Sequence, residues 1–430
     1  MYLFDMTIDK IKNINTKKTI ILPSSKSYLN RTLIVASYQD GITTLTNITD
    51  ICDDVRDLIN ALTKLGVKIE INEQKGEIVV VGTNGNFCSP ENGEINCGLG
   101  GTTTRFLIGL SLLFDFDIKI TAIGKMLERP VNNLLDIISK LGKNIKYLQK
   151  PNCLPVEISK TNNSKMLEEI EIDCSKSSQF LTAILLVASQ IRVRQIIAKN
   201  IVSKTYINIT KDVLKKFEID VKLIAKNHDL ICKISPNNSI NSNTISRNID
   251  VETDWSAATY FLALERIFDV NFDMKLSKNS SQGDAKFVEI LDKIYSFHDK
   301  KNTLILYMKS MPDAALTAMV VCALQNFTTK ITGLETLKNK ECDRIKAMYD
   351  ELAKCGVKTE ISKNYDAITI YGKGKFELKK LVKINTYNDH RIAMCFAILG
   401  TKIGNLEIEN PGVVKKSFPN FWLELEKCYK

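Results

Sequence analysis

Polar and apolar residues recur along the chain in one repeating order. A polar turn opens an apolar helix, an amphipathic helix that ends at a glycine follows, and two alternating strands close the cycle. In the first copy a strand at 19–22 precedes the turn Ser24–Ser27, the amphipathic helix covers 53–65, and the strands lie at 67–71 and 77–81. The order predicts a mixed α/β fold built from internal repeats.

Six such helix starts occur at intervals of roughly 75 residues. They begin near Ser24, Gly98, Ser177, Asp254, Pro312 and Asn388. Three precede and three follow the polar segment Ser235–Thr244, which we interpret as a boundary or an exposed turn. The last copy lacks one strand, and we expect the segment before Pro23 to supply it.

The stretch Gly98–Leu110 has the features of an anion-binding helix start. Its glycines allow a sharp turn and a close approach to a ligand, and its three threonines offer side-chain caps. Backbone N–H groups at a helix start attract phosphate or carboxylate groups, and Arg105 adds a cation. One such stretch alone is more often a tight connection. Six in register predict a site for a multiply anionic ligand between two domains.

Composition narrows the class of protein. The 430 residues, 44% of them hydrophobic, are too many for one ordinary core, so two or more domains are expected. We see no targeting signal and no membrane-length apolar run, which favours a soluble, cytoplasmic protein. The eleven cysteines form no Cys-x-x-Cys pair and the three histidines are far apart, so we expect small buried thiols and no metal site.

The net charge of +10 is dispersed over lysines in polar turns. A nucleic-acid-binding protein would gather its basic residues in a stripe with interleaved aromatic residues. The dispersed charge therefore argues against nucleic acid as a partner and favours a small anionic substrate.

Nine short motifs follow one another along the chain. They are Pro23-Ser-Ser-Lys-Ser-x-x-Asn-Arg31, Gly100-Gly-Thr-x-x-Arg105, Glu128-Arg-Pro130, Ser177-Ser-Gln179, Val202-Ser-Lys-x-Tyr206, Pro312-Asp-Ala-Ala315, Lys340-Glu-x-x-Arg344, Asn388-Asp-His-Arg391 and Lys416-Ser-Phe-Pro419. Together, in this order, they make the chain resemble the 5-enolpyruvylshikimate-3-phosphate synthase family of enolpyruvyl transferases. The resemblance extends from about Ile20 to Phe421.

The resemblance implies a two-domain, inside-out α/β barrel with three βαβαββ repeats in each domain and the active site in the cleft between them. The first domain would span residues 24–250, and the second would combine residues 1–23 with 251–430. The implied activity transfers the enolpyruvyl group of phosphoenolpyruvate to the 5-hydroxyl of shikimate 3-phosphate and releases phosphate. The reaction belongs to the shikimate pathway, which leads to chorismate and the aromatic amino acids. The resemblance also implies a monomer without a cofactor.

Matching positions in the motifs imply the residues that contact each substrate. Those for shikimate 3-phosphate are Lys26, Ser27, Arg31, Ser177, Ser178, Gln179, Ser203, Tyr206, Asp313 and Lys340. Those for phosphoenolpyruvate are Lys26, Gly101, Lys125, Gln179, Arg344, Arg391 and Lys416.

The implied reaction needs two proton-transfer groups and several cations. The 5-hydroxyl loses a proton as it attacks C2 of phosphoenolpyruvate, C3 gains a proton, and the tetrahedral adduct then expels phosphate. We assign Asp313 to the hydroxyl and Glu341 to C3, with Lys26 stabilising the leaving phosphate. Lysines and arginines already balance the substrate charges, so no metal is required. The ordinary alternatives are a first-turn carboxylate for Asp313 and a solvated ion pair for Glu341.

Several positions depart from the family pattern. Lys125 stands where the family usually has Arg, so a two-point grip on a carboxylate becomes a single contact. Leu99 and Gly100 replace the usual Asn-Ala, Phe106 replaces Pro, and Thr336 occupies a position that is often Asn. These departures affect the detail of both subsites and leave the reaction unchanged.

Two other functions compete with this interpretation. A related transferase moves the enolpyruvyl group to UDP-N-acetylglucosamine, but it carries a loop cysteine before Arg-Pro, and Gly124–Pro130 contains none. A non-catalytic phosphate- or RNA-end-binding protein would suit the positive charge. Such a cleft would gain nothing from the two carboxylates Asp313 and Glu341.

Overall fold

Contacts within the protein divide the chain into two compact units. The computed structural model describes residues 5–160, 167–191, 193–235 and 246–430. The continuous unit is Ser24–Glu252, and the split unit combines the residues up to Pro23 with Thr253–Lys430. The second boundary thus falls at 252/253, against the expected 250/251. Nearly all of the polar segment Ser235–Thr244 lies outside the described residues.

Twelve α-helices occur in the described parts of the chain. They are α1 (Lys26–Tyr38), α2 (Asp53–Lys64), α3 (Gly101–Leu110), α4 (Asn132–Lys140), α5 (Gln179–Leu185), α6 (Thr205–Lys216), α7 (Trp255–Phe268), α8 (Phe287–Ser296), α9 (Ala315–Ala323), α10 (Arg344–Lys354), α11 (His390–Ile403) and α12 (Phe421–Glu426).

Nineteen strands accompany these helices within the described ranges. They are β1 (Met6–Ile8), β2 (Ile42–Thr46), β3 (Lys68–Asn72), β4 (Glu77–Val81), β5 (Glu94–Asn96), β6 (Ile118–Thr121), β7 (Asn144–Tyr147), β8 (Val156–Ser159), β9 (Glu169–Asp173), β10 (Gln195–Lys199), β11 (Val221–Lys226), β12 (Asp229–Ile234), β13 (Ser246–Asp250), β14 (Leu304–Tyr307), β15 (Thr328–Thr332), β16 (Lys358–Ile361), β17 (Ala367–Tyr371), β18 (Val382–Ile384) and β19 (Leu406–Ile408).

The sheets repeat one topology. The continuous unit has the orders β13-β2-β4-β3, β5-β6-β8-β7 and β9-β10-β12-β11, and the split unit has β14-β15-β17-β16. In each of these sheets the first two strands are parallel, and the remaining pairs are antiparallel. The recurrence confirms that the chain is built from repeats of one βαβαββ unit.

A fifth sheet joins the two ends of the chain. Its order is β1-β19-β18, with β1 antiparallel to β19 in the register Met6↔Ile408 and Ile8↔Leu406. The prediction that the segment before Pro23 completes the last repeat is confirmed.

The helices at the start of each repeat form the interior of both units. All nine residues of α9 and thirteen of the fourteen residues of α11 are buried, because these helices are apolar on every side. In the continuous unit α3 and α5 pack so closely that a Cβ at Gly109 would lie 2.4 Å from the carbonyl oxygen of Ala183. Helices such as α2 and α10 bury one face only. This arrangement agrees with the expected inside-out barrel.

Three local expectations are wrong. Residues 19–22 form no strand, and Ile20 makes only an isolated bridge to Met274. The segments that follow α7 and α8 form no sheet of their own among the described residues, and the next strand along the chain, β14, pairs with β15 of the following repeat. The threonines after Gly101 do not cap α3, since the helix begins at Gly101 and the preceding residue is Gly100. Thr103 instead donates to the carbonyl oxygen of Asp54 at 2.9 Å.

Candidate active site

Arg344, the first residue of α10, lies at the centre of a charged cluster in the split unit. Its side chain is 1% exposed, and it donates to three carboxylates. Nε and Nη2 bind the two oxygens of Asp389 at 2.7 and 3.1 Å. Nη1 binds Asp313 at 2.7 Å, and Nη2 also binds Glu341 at 2.9 Å. Arg344 thus holds both predicted catalytic carboxylates in place.

Burial and neighbouring charges shift the pKa of Arg344 in opposite directions. Burial would lower the pKa of its guanidinium, whereas Asp389, Glu341 and Asp313 raise it well above its usual range. The guanidinium therefore stays charged, and losing one carboxylate would leave a buried cation with less compensation.

Asp313 precedes α9 and lies among three cations. Its Oδ1 is 2.7 Å from Arg344 Nη1 and 3.3 Å from Lys340 Nζ, and its Oδ2 is 3.3 Å from Arg391 Nη2. Burial raises the pKa of Asp313, but these cations together lower it by more, so it lies well below its usual range. Asp313 is therefore ionised at neutral pH, and it becomes an effective proton acceptor only when the cations are drawn elsewhere.

Glu341 bridges two cations of the same cluster. Its Oε2 accepts from Arg344 at 2.9 Å, and its Oε1 lies 3.5 Å from Lys416 Nζ. The side chains of Glu341 and Lys416 are 18% and 8% exposed, so the pair is not a solvated surface ion pair. The structure thus brings Asp313, Lys340, Glu341, Arg344, Arg391 and Lys416 together.

Asp389 anchors this cluster, and sequence reasoning gave it no role. It is fully buried, accepts from the backbone N–H of Arg391 as the N-cap of α11, and binds Arg344 through both oxygens. The two residues before it, Tyr387 and Asn388, have φ of 52° and 55°, and such left-handed backbone is strained outside glycine. The available signal was an aspartate at a helix start, the N-cap position.

Asp284, in a short 3-10 helix, is a second carboxylate that sequence reasoning missed. It is 5% exposed and accepts a hydrogen bond from the hydroxyl of Ser256 in the first turn of α7. Burial first, and the charge of Asp313 second, raise its pKa from its usual value near 3.8 to about 6; Ser256 and Arg391 act in the opposite direction. Asp284 therefore carries a proton under mildly acidic conditions.

Lys26 is the first residue of α1 in the continuous unit. Its Nζ lies 2.9 Å from Oδ2 of Asp54, and the two side chains are 16% and 3% exposed. Ser25 caps the helix by accepting from the N–H of Tyr28, so the predicted capped turn is confirmed. The ion pair fixes the ammonium of Lys26 at the helix start.

Arg31 connects two predicted substrate ligands. Its guanidinium donates to the carbonyl oxygens of Ser27 at 2.7 Å and Tyr206 at 3.2 Å, and to the hydroxyl of Thr210 at 2.9 Å. The side chain is buried, with its guanidinium 5.3 Å from the ring centre of Phe106. Burial lowers the pKa of Arg31 to about 9, so the cation persists at neutral pH on neutral acceptors.

Gln179 links α5 to the start of α3. Its amide donates to Thr102 Oγ1 at 3.1 Å, and its Oε1 accepts from Arg105 Nη1 at 2.8 Å. Arg105 also donates to the carbonyl oxygen of Gly101 at 3.1 Å and lies over the ring of Phe180. The glycine-rich stretch, Gln179 and the cation predicted at Arg105 therefore form one local arrangement.

Two loops hold the other predicted ligands of this unit. Ser177 accepts from the N–H of Gln179 at 3.2 Å, and buried Ser178 precedes α5. Ser203 has a φ of 50°, and its carbonyl oxygen accepts from the N–H of Tyr206 at 3.2 Å. The left-handed backbone at Ser203 is a strained conformation of the kind that clusters at functional sites.

The positions that depart from the family pattern differ in exposure. Lys125 is 55% exposed and forms an ion pair with Glu128, three residues along the chain. Leu99 is 44% exposed, whereas Phe106 is fully buried beneath Arg31. Thr336 lies just before a short 3-10 helix. Phe106 is thus a core residue of the continuous unit.

Two further features are absent from the residues that the structure describes. These residues contain no group of three or more His, Cys, Asp or Glu side chains that could hold a metal ion. No helix in this part of the chain is long and apolar enough to cross a membrane. Nine of the eleven cysteines are buried thiols, as expected from their scatter, while Cys88 is exposed and Cys342 is half-buried.

Solved structures of enolpyruvyl transferases have the same fold as this chain. An EPSP synthase from Acinetobacter baumannii superposes with a TM-score of 0.75 at 22% identity, covering 99% of this chain and 98% of that one. The enolpyruvyl transferase NikO from Streptomyces tendae gives 0.73 at 13% identity, covering 99% and 97%.

Sequence similarity identifies the family. The model for EPSP synthase (3-phosphoshikimate 1-carboxyvinyltransferase) matches residues 9–425. The 3-phosphoshikimate 1-carboxyvinyltransferase of Tolumonas auensis is 34% identical over 435 residues, covering 97% of both chains. That of Vibrio vulnificus is 33% identical over 438 residues, covering 98% of both. The chain belongs to the EPSP synthase family, and its resemblance to that family is confirmed.

Proposed function

We propose that this protein is a 3-phosphoshikimate 1-carboxyvinyltransferase. It transfers the enolpyruvyl group of phosphoenolpyruvate to the 5-hydroxyl of shikimate 3-phosphate and releases phosphate. The observation that carries the proposal is the buried cluster in which Asp313 and Glu341 share the guanidinium of Arg344, in a chain of this family. The family match also favours shikimate 3-phosphate over UDP-N-acetylglucosamine as acceptor.

In the proposed mechanism, the anionic groups of phosphoenolpyruvate replace protein carboxylates as partners of the cations. In the structure Arg391 is paired with Asp313, and Lys416 is paired with Glu341. When the substrate carboxylate takes over these cations, the carboxylates lose their nearest positive charges and their proton affinity rises. The substrate thereby converts two tightly held carboxylates into groups that are better placed to exchange protons in the reaction.

Each proton then has an assigned group. Asp313 accepts the proton of the 5-hydroxyl as its oxygen bonds to C2, and Glu341 delivers a proton to C3. In the second step the C–O bond to phosphate breaks, Asp313 passes its proton to the leaving phosphate, C3 returns its proton to Glu341, and the enol ether forms. Lys26, held by Asp54 at 2.9 Å, stabilises the charge that develops on the departing phosphate.

The substrate ligands are the residues that the sequence predicts for each substrate. Of the proposed shikimate 3-phosphate ligands, Asp313 and Lys340 belong to the split unit. Those of the continuous unit are Ser27, Ser177, Ser178, Gln179, Ser203 and Tyr206. We assign Arg31 an indirect role, because its side chain is buried and three of its five N–H donors bind Ser27, Tyr206 and Thr210. We further propose a cytoplasmic monomer, which sedimentation at several concentrations would test.

Phosphate release tests the proposed function. The purified protein is supplied with phosphoenolpyruvate and either shikimate 3-phosphate or UDP-N-acetylglucosamine, and inorganic phosphate is measured. We expect release with shikimate 3-phosphate alone and an enolpyruvyl adduct of matching amount by mass spectrometry. Release with the nucleotide sugar alone, or with neither acceptor, would overturn the proposal.

A further inference from the structure

Glu351, on α10 of the split unit, is a buried carboxylate to which the proposed reaction gives no role. Its side chain is fully buried. Its Oε1 accepts from the hydroxyl of Tyr387 at 2.8 Å, and its Oε2 accepts from the backbone N–H of Asn385 at 3.1 Å and from Lys354 Nζ at 2.6 Å. A carboxylate removed from water is tolerated only where such donors replace the water. Glu351 therefore holds the chain at two points, Asn385 and Tyr387.

Both points lie in the connecting segment 385–389, which leads from β18 to α11. Tyr387 and the residue after it have φ of 52° and 55°, a left-handed conformation that costs free energy outside glycine. Within the segment, Asn385 Oδ1 accepts from the N–H of Tyr387 at 2.7 Å, and the carbonyl oxygen of Thr386 accepts from the N–H of Asp389 at 2.8 Å. The place of Asp389 thus depends on where Asn385 and Tyr387 are held.

Helix α10 also holds the other end of the connecting segment. Arg344, its first residue, binds the two oxygens of Asp389 at 2.7 and 3.1 Å. Glu351 lies seven positions further along α10, about two helical turns, so both side chains extend from one face of the helix. One rigid element therefore fixes both ends of the segment, and Arg344 in turn binds Asp313 and Glu341.

The geometry points to Glu351 as a positioning residue that acts on the charged cluster through the connecting segment. Asp389 accepts from the N–H of Arg391 at 2.9 Å as the N-cap of α11, so a displaced segment moves Asp389 and Arg391 together. Arg391 is one of the cations proposed for phosphoenolpyruvate. The inference rests on the proposed function, and it assigns Glu351 to the affinity for phosphoenolpyruvate rather than for shikimate 3-phosphate.

Substitution of Glu351 separates positioning from direct participation. Glu351→Ala removes all three contacts and should raise the KM for phosphoenolpyruvate roughly 10- to 100-fold, the size that a misplacement of about 1 Å can cause. The KM for shikimate 3-phosphate should change less than about threefold. Glu351→Gln should recover most of the loss, because its amide oxygen can accept from Asn385 while its NH2 group donates to the hydroxyl of Tyr387.

A matched control is available on α7 of the same unit. Glu265 is a partly buried glutamate that accepts from the N–H of Phe272 at 2.7 Å, in a segment that contributes no proposed ligand. Glu265→Ala should leave both KM values unchanged, and unfolding midpoints of all variants are compared. The inference is overturned if Glu351→Ala keeps a KM for phosphoenolpyruvate within about twofold of the unmodified protein, or if Glu265→Ala raises it equally.

A milder change decides the question if Glu351→Ala does not fold. Tyr387→Phe removes only the hydrogen bond to Glu351 Oε1 and keeps the ring. Burial first, and this hydrogen bond next, raise the pKa of Tyr387 above its usual range, so its hydroxyl keeps the proton that it donates. We expect the KM for phosphoenolpyruvate to rise at least about threefold in Tyr387→Phe. No rise would overturn the inference.

Urea unfolding tests the inference without turnover. If Glu351 positions Asp389, Asp389→Asn should cost less stability in the Glu351→Ala protein than in the unmodified protein, by about threefold or more in the unfolding equilibrium constant. Tyr387→Phe replaces Glu351→Ala in this comparison if the latter does not fold. Coupling in a protein that transfers no enolpyruvyl group would support the positioning role and refute the function. Additive losses would refute the positioning role, whether or not transfer occurs.

Discussion

The two units use buried arginines in different ways. In the split unit Arg344 is surrounded by three carboxylates, Asp313, Glu341 and Asp389. In the continuous unit Arg31 and Arg105 donate to carbonyl, hydroxyl and amide oxygens, none of which carries a full charge. The first arrangement combines cations with groups that can move protons, and the second offers positive charge to an anionic ligand. The division suggests chemistry in one unit and anion recognition in the other.

The strongest test of this division is removal of the proton-transfer groups. Asp313→Asn and Glu341→Gln should each lower kcat by about two to four orders of magnitude, because each removes a group that exchanges a proton in the reaction. Steady-state kinetics with both substrates at saturation provide the measurement. Asp350→Asn, which alters a partly exposed ion pair on the same helix α10, is the matched control. Near-normal kcat in both active-site variants would remove the chemical role from the split unit.

A second test compares the stability of the two arrangements. Asp389→Asn should lower the free energy of unfolding by about 3–5 kcal/mol, because it leaves the buried Arg344 with less opposite charge. Thr210→Val removes a neutral acceptor from Arg31 and should cost only about 1–2 kcal/mol. Urea unfolding of both variants measures the difference. An equal loss in the free energy of unfolding for the two variants would mean that the negative charge of Asp389 contributes little beyond its hydrogen bonds.

Much of the fold was predictable, because it follows from local patterns. The amphipathic helix at 53–65 and the strands at 67–71 and 77–81 agree with α2, β3 and β4 to within about two residues. The strand expected at 19–22 failed for a nonlocal reason. An apolar run becomes a strand only beside a partner, and near Ile20 the partner is a single bridge to Met274.

The site was predictable only in part. The motifs identified Asp313, Glu341 and Arg344, since helix starts and charged residues are visible in the sequence. The pairing of Arg344 with Asp389 spans 45 positions and depends on how α10 and α11 pack, so no spacing rule indicates it. A Cβ at Gly101 would lie 2.6 Å from Arg105 Nη1 and 2.7 Å from Arg129 Nη1, and this close approach likewise depends on the path of the 124–130 loop.

The last effect concerns the pH dependence of stability and the split unit alone. The pKa of Asp284 is about 6 in the folded protein, against its usual value of 3.8. The folded protein therefore holds more protons than the unfolded chain between those two pH values. The contribution of Asp284 to stability is therefore present below pH 4 and declines as the pH rises to 6. Asp284 faces Ser256 of α7 and the charges of Asp254, Asp313 and Arg391.

Replacing Asp284 by Asn should remove this decline. Relative to the unmodified protein, Asp284→Asn should gain up to roughly 3 kcal/mol between pH 4 and pH 6, two pKa units at 1.36 kcal/mol each. Urea unfolding at pH 4, 5, 6 and 7 measures it, with Asp292→Asn on the exposed side of α8 as the control. A stability difference that does not vary with pH would contradict the expectation.

The pairing of β1 with β19 has a consequence for synthesis on the ribosome. The continuous unit is complete once residue 252 has emerged, so its core can form while the rest of the chain is still being made. The partners of Met6 and Ile8, which are Ile408 and Leu406, are synthesised about 400 residues later. Loop closure over that length is slow. We therefore expect the first strand to be translated early and docked last. Joining residues 5–23 behind the C-terminus would remove that delay and let the split unit fold from one uninterrupted segment.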